Sequence, residues 1–214
     1  MRETKEERLN RLRNYDSEFK TDLVIGLDEA GRGALAGPIY AGAVILDPNN
    51  NISDLNDSKK IVEHKRYDLL DEIKEKSFAY GIGIVDSKII DTKGIQYANF
   101  LAFKLAYNEC IEKLKINNIH TTSLTILIDG NYKNIEIPNY ISVKKGDTKS
   151  ASIAAASIIA KASRDLFLKD VLNKTYPNYY FNKHKGYGTK EHRNIIKEIG
   201  LSEAHRKSFC KNLI

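Results

Sequence analysis

The sequence predicts an α/β protein: a central mixed five-stranded sheet flanked by helices, with a helical C-terminal extension. Three observations predict it. Short apolar runs bounded by Gly, Pro, Asn and Asp recur with the length and composition of strands. Two long stretches instead carry apolar residues at helical spacing. Their order is three strands, a crossover helix, two strands and then helices, which is the pattern of a mixed sheet covered on its faces.

Residues 1–20 read as a charged helix or arm anchored by Leu9 and Leu12. Asp22–Leu27 is the first strand and, beyond a glycine-rich turn, Ile39–Leu46 the second; Asp47-Pro48-Asn49-Asn50 ends it. Val62–Lys76 follows as a helix, with Tyr67, Leu70 and Ile73 on one face, and Phe78–Val85 is the third strand. The long helix Ile95–Lys115 is expected to bury Tyr97, Leu101, Leu105, Cys110 and Leu114 against the sheet. Leu124–Asp129 and Tyr140–Val143 are the fourth and fifth strands. Ser150–Leu172 is a second long helix, whose Ala and Ser residues allow close approach to a neighbour. Tyr176–Gly188 reads as a loop of aromatics and cations, and Thr189 caps a last helix ending near Gly200. The expected division is an arm (1–20), a catalytic core (21–172) and a basic C-terminal region (173–214) that completes a substrate groove.

Composition narrows the function. The chain has 214 residues, 42% hydrophobic and 29% charged, and no apolar run approaches the roughly 20 residues of a membrane span. The start, MRETKEERLNRLRN, lacks the apolar core of a signal peptide, so a cytoplasmic protein is expected. Cys110 and Cys210 form no CxxC pair, which argues against zinc and against a disulfide framework. Net charge is +6, but from Lys144 onward 15 Lys/Arg stand against 6 Asp/Glu. That imbalance suits a surface meeting phosphates, although charge alone equally fits a solvated Lys-rich face.

The chemistry concentrates in DLVIGLDEAGRGALAGPIYAGAVIL, Asp22–Leu46. A buried strand there ends in adjacent carboxylates, Asp28 and Glu29, a costly placement unless a cation or donors compensate. Asp129 closes another apolar run, and Asp147 sits in the basic turn Lys144-Lys145-Gly146-Asp147. Gly31, Gly33 and Gly37 have GxGxxxG spacing, and Asp28-Glu29 would repel a pyrophosphate, so a dinucleotide site is disfavoured. No GxxxxGK[ST] or GxSxG occurs. Asp28, Glu29, Asp129 and Asp147 offer hard oxygen ligands suited to Mg²⁺ or Mn²⁺. Phosphodiester hydrolysis uses such a set: one ion activates the attacking water and a second, roughly 4 Å away, stabilises the departing oxygen. Successive strand residues point to opposite faces, so Asp28 and Glu29 share one site only if the backbone turns between them.

Five segments carry a resemblance: GLDEAGRGALAGPIYAGAVIL, NDSKK (56–60), IDG (128–130), KKGDTKSASIAAASIIAKASRD (144–165) and HKGYGTKEH (184–192). In this order and at these separations they resemble bacterial ribonuclease HII, the type 2 ribonuclease H, over roughly residues 23–200. Ribonuclease HIII is less similar, because its extra N-terminal domain has no counterpart in the about 20 residues before Leu23. The resemblance implies a ribonuclease H-like fold and metal-dependent endonucleolytic cleavage of the RNA strand of RNA–DNA hybrids. It also implies incision 5′ of ribonucleotides embedded in duplex DNA, leaving 5′-phosphate and 3′-hydroxyl ends, as in ribonucleotide excision repair. The family's four acids fall on Asp28, Glu29, Asp129 and Asp147, which would hold two divalent ions, Mg²⁺ or Mn²⁺.

By the same resemblance Gly31, Arg32 and Gly33 read the 2′-hydroxyl mainly through backbone groups, the group that separates RNA from DNA. Tyr187 stacks on the deoxyribose after the ribonucleotide, and Ser58, Lys59, Lys60, Lys145, Lys149 and Lys185 contact phosphates. For each lysine a solvated surface is the competing reading. His184 and His192 are expected to be structural, and Asp165 to pair with Arg164 or a lysine. The expected state is a monomer whose partner is nucleic acid; a replication clamp on the tail Ser208–Ile214 is a further partner. A hybrid-binding module without catalysis, or another nuclease of the same fold, are the rival readings. The former leaves four acids in a phosphate-binding groove unexplained.

Overall fold

β1 (Leu23–Ala30) is the centre of the fold, and the chain returns beside it twice. In the computed structural model, which describes residues 3–52 and 54–213, β2 (Ile39–Leu46) and β3 (Ser77–Val85) extend the sheet antiparallel on one side. β4 (Leu124–Asp129) and β5 (Tyr140–Val143) run parallel on the other. The order is β3-β2-β1-β4-β5, the expected mixed five-stranded sheet.

Two long helices cover its faces. α4 (Ile95–Ile116) packs on the face carrying Ile25, Leu27 and Ile128, and α5 (Ala151–Phe167) on the other. Both come close because the sheet offers glycine beneath them. A Cβ at Gly26 or Gly42 would collide with the backbone of Ser152 and Ala156 in α5, and one at Gly81 or Gly83 with Ala106 and Ala102 in α4. Removing side chains on both sides maximises buried contact, at the density proteins require.

This close approach corrects the expected buried face of α4. Tyr97 is 51% and Leu105 41% exposed, and Leu101 only half-buried. The stripe one position on, Ala98, Ala102 and Ala106 with Phe103, faces the sheet instead; Cys110 and Leu114 are buried as expected. Hydrophobicity ranks Leu above Ala, but only a stripe of small residues fits against glycine backbone.

On the α5 side lie α1 (Lys5–Ser17) and α2 (Glu63–Lys76). Thr4 and Glu7 close a capping box on α1, and its Leu9 and Leu12 are buried in the same core as Leu70 and Ile73. A short helix, α3 (Ser87–Lys93), capped by Asp86, was not foreseen. The expected loop 176–188 contains two further short helical turns, Pro177–Tyr179 and Phe181–His184, whose Tyr179 and Phe181 are buried. Apolar aromatics, not solvent, order that region. Thr189 caps α6 (Lys190–Ile199) through its hydroxyl. The tail's Phe209 and Leu213 pack inward, whereas Ile214, like Met1 and Arg2 of the arm, lies outside the described residues.

Candidate active site

The register of β1 and β4 decides which acids meet. Leu27 pairs with Ile128 in the parallel ladder, so Asp28 and Asp129 follow side by side at the strand ends, on the α5 face. Neighbouring strands lie about 4.8 Å apart, which forces the two carboxylates into mutual repulsion. Asp147 joins from the turn before α5, Gly146–Thr148, whose Gly146 N–H donates to Asp129 Oδ1 at 2.6 Å.

Burial raises the pKa of Asp28 well above its usual range, and Glu29 and Asp129 push it the same way. Asp129 is raised by burial, and Asp147 by burial and then by Asp129. Lys59 faces this group: burial lowers its pKa, but Asp28 and Asp147 outweigh that and hold it charged. Three desolvated carboxylates against one ammonium leave negative charge uncompensated. That excess and the all-oxygen donor set fit a hard divalent cation. Among the described residues no three Asp, Glu, His or Cys side chains stand close enough to form a ready cage, as expected of like charges that repel. A cation would have to draw them together.

Glu29 behaves differently, and the expected turn between it and Asp28 is absent. β1 continues through Ala30, with Asp28 opposite Gly42 and Glu29 opposite Ala41 of β2, so Glu29 projects to the α4 face. There its Oε1 accepts a hydrogen bond from the Tyr132 hydroxyl at 3.1 Å. The chain turns one residue later, at Gly31, with φ of +89°. Glycine is required there, because a Cβ would strike the Arg164 guanidinium.

Asp28, Glu29, Gly31, Arg32, Gly33, Ser58, Lys59, Ser157, Lys161 and Tyr187 line one groove of about 380 Å³. Tyr187 is half-buried, with the Arg164 guanidinium 5.3 Å and the Lys161 ammonium 5.5 Å from its ring centre. Ser58 is buried, its hydroxyl 2.8 Å from that of Ser157. The remaining expected phosphate contacts do not converge here. Lys60 borders a cavity with Arg8, Arg11 and Asp147, and Lys149 another beside α1. Lys145 is exposed next to Asp147. Lys185 is buried, donating to Asn182 O at 2.5 Å and to Glu63 Oε2 at 3.3 Å.

Two wholly buried arginines brace the loops beside the groove by donating to backbone carbonyls. Arg164 donates to the carbonyls of Ala36, Pro38 and Lys185, and Arg206 to those of Arg32 and Gly37. Burial pushes Arg206 down to about 9. Of the two partners expected for Asp165, the lysine is the one it meets: Lys161 at 2.6 Å, with Arg66 at 3.3 Å. Arg164 was unavailable because its fork matches the loop carbonyls. Ser157, Lys161 and Arg164 escaped the reading of the sequence, although their i, i+4, i+7 spacing places them on one helix face.

His184 and His192 are structural, stacked at 4.0 Å, with His205 beside them. A profile of ribonuclease HII matches residues 25–212. This chain belongs to the ribonuclease HII family. It is 48% identical over 195 residues to ribonuclease HII of Caldicellulosiruptor bescii, spanning 89% of this chain and 88% of that one. The Archaeoglobus fulgidus RNase HII, solved in complex with PCNA, superposes with a TM-score of 0.69 at 24% identity, covering 89% of this chain and 96% of that one. Bst-RNase HIII, solved in complex with Mn²⁺, gives 0.60 at 20% identity, covering 83% and 63%. Those two likenesses show that this chain has the fold common to these ribonucleases HII and HIII. As a member of the ribonuclease HII family, this chain is an endonuclease that hydrolyses the RNA strand of RNA–DNA hybrids. Among its described residues no helix is long and apolar enough to cross a membrane.

Proposed function

We propose that this ribonuclease also incises duplex DNA 5′ of single embedded ribonucleotides, leaving 5′-phosphate and 3′-hydroxyl ends. The observation that carries the reading is the placement of Asp28, next to Asp129 at the end of the β1–β4 ladder, in one groove with the Gly31–Gly33 turn. Asp28, Asp129 and Asp147, with Glu29 from the strand's other face, would hold two Mg²⁺ or Mn²⁺ ions. Such ions, when bound, supply Lewis-acid activation of water and neutralise charge at the departing oxygen. Arg32 and the backbone of Gly31 and Gly33 meet the ribose 2′-hydroxyl, which only RNA carries. Tyr187 stacks on the next deoxyribose, and Lys59 orients the phosphate beside the acids. Arg164 and Arg206 hold the turn at a fixed distance from them. Residues 173–214 complete the groove through Tyr187. A replication clamp engaging Ser208–Ile214 would have to release Phe209 and Leu213 from the body, so the proposal rests on a monomer acting on nucleic acid.

The test is cleavage of a labelled DNA duplex carrying one ribonucleotide, with Mg²⁺, with Mn²⁺ and with chelator. A metal-dependent nick on the 5′ side is the expected result. Binding without a nick would replace the proposal with a hybrid-holding module, and a requirement for several ribonucleotides would indicate type 1 behaviour.

A further inference from the structure

We infer that Tyr132 is a positioning residue that couples the acid Glu29 to Arg32 of the glycine-rich turn. The inference rests on the proposed roles of Glu29 at the ions and Arg32 at the ribose. One hydroxyl touches both groups: it donates to Glu29 Oε1 at 3.1 Å and accepts from Arg32 Nη1 at 3.1 Å. The Arg32 guanidinium also lies 5.6 Å from the centre of the Tyr132 ring.

The phenol is held from several directions. Its ring meets Phe100 and Phe103 of α4 edge-on, at 5.7 and 5.6 Å between centres. Its backbone N–H donates to Ser142 Oγ at 3.1 Å, and its carbonyl accepts from the same hydroxyl at 2.9 Å. Gly130 takes φ of +116°, and a Cβ there would stand 2.6 Å from the ring. The glycine after Asp129 thus makes room for the Tyr132 ring on its way to Glu29 and Arg32.

This arrangement answers the problem set by β1. Alternation sends Glu29 to the α4 face, opposite the one that carries Asp28 and Asp129, with no backbone turn between, although it still borders the groove with Asp28. Tyr132 keeps its carboxylate at the groove's rim and ties it to the turn that reads the sugar. The acid that completes the ion site and the residue that recognises ribose are then set by one hydroxyl.

The test compares wild type, Tyr132→Phe, Glu29→Gln and the double variant. Mn²⁺ affinity is measured calorimetrically without substrate, and kcat and KM on a single-ribonucleotide duplex. Tyr132→Phe should bind Mn²⁺ about tenfold more weakly, the scale of lost outer-shell partners, and lower kcat by a similar factor with KM little changed. In the Glu29→Gln background it should cost no further Mn²⁺ affinity. Wild-type affinity and kcat in Tyr132→Phe, or an equal loss in both backgrounds, would overturn the inference. Phe100→Leu loosens the ring's packing but spares the hydroxyl; the same losses there would reduce Tyr132 to packing. A wild-type protein that binds no Mn²⁺ would instead sink the ion-site reading beneath it.

Discussion

Asp129 and Gly146 are joined by a 2.6 Å hydrogen bond from the Gly146 N–H to Asp129 Oδ1, tying the end of β4 to the turn that carries Asp147. A carboxylate at position 129 therefore orients a second acid as well as contributing its own charge. Asn retains an acceptor oxygen for that bond while removing the charge. Asp129→Asn is expected to fold normally and lose on the order of 10²-fold or more in turnover, the scale for one preorganised electrostatic group. Near-normal turnover would remove Asp129 from the site.

The same substitution should stabilise the protein in chelator. Burial raises the pKa of Asp28, Asp129 and Asp147 above their usual value of 3.8. Groups raised on folding contribute stability below the unfolded value that is lost as pH rises through the folded value. At neutral pH and above, the metal-free protein carries that penalty, and Asp129→Asn relieves part of it. Melting curves at pH 8 with chelator should place the variant at or above wild type. Mn²⁺ should raise the wild-type melting temperature more; the reverse ordering would contradict an uncompensated acid cluster.

Gly31→Ala meets two obstacles at once. A non-glycine residue at positive φ costs about 1–2 kcal/mol, and the added Cβ would displace Arg164 from the carbonyls of Ala36, Pro38 and Lys185. A lowered melting temperature together with lost discrimination between ribose and deoxyribose is expected. A variant that melts normally and cuts with unchanged selectivity would show that the turn does not depend on glycine.

Tyr187→Ala removes the ring over which Arg164 and Lys161 sit, but no carboxylate. Hybrid cleavage should persist while preference for a single embedded ribonucleotide falls. The ratio of rates on the two substrates is the readout, and an unchanged ratio would exclude stacking by Tyr187.

His184, His192 and His205 are wired as three neutral rings. Gly186 N–H donates to His184 Nδ1, and His184 Nε2 donates to Tyr179 O. Ser202 N–H donates to His205 Nδ1, His205 Nε2 to His192 Nε2, and His192 Nδ1 to Tyr187 O. A proton added to any ring sets donor against donor. Burial accordingly pushes His192 and His205 down to about 4. Lowered bases give stability that is full above the usual value of 6.5 and falls as pH drops toward 4. The melting temperature should decline through that window, and His205→Gln should flatten the decline. A wild-type melting temperature constant between pH 7 and 4 would refute the neutral wiring.

The sequence by itself determined the five strands, the two long helices and the small-residue face of α5, and it singled out the four acids as candidates. Each is local: strand and helix periodicities, and charge at the end of an apolar run, are written in consecutive residues. The helical stripe of α4 was legible only to within one position, because the choice between Leu101 and Ala102 depends on glycines in β3. Only the tertiary structure decided that Asp28 and Asp129 stand side by side while Glu29 turns to Tyr132. Strand register and the hydrogen-bonding reach of Arg164, Arg206 and Tyr132 depend on residues 20 to more than 170 positions apart. No local pattern records which carbonyl a buried arginine will meet, since that follows from where packing brings the loops.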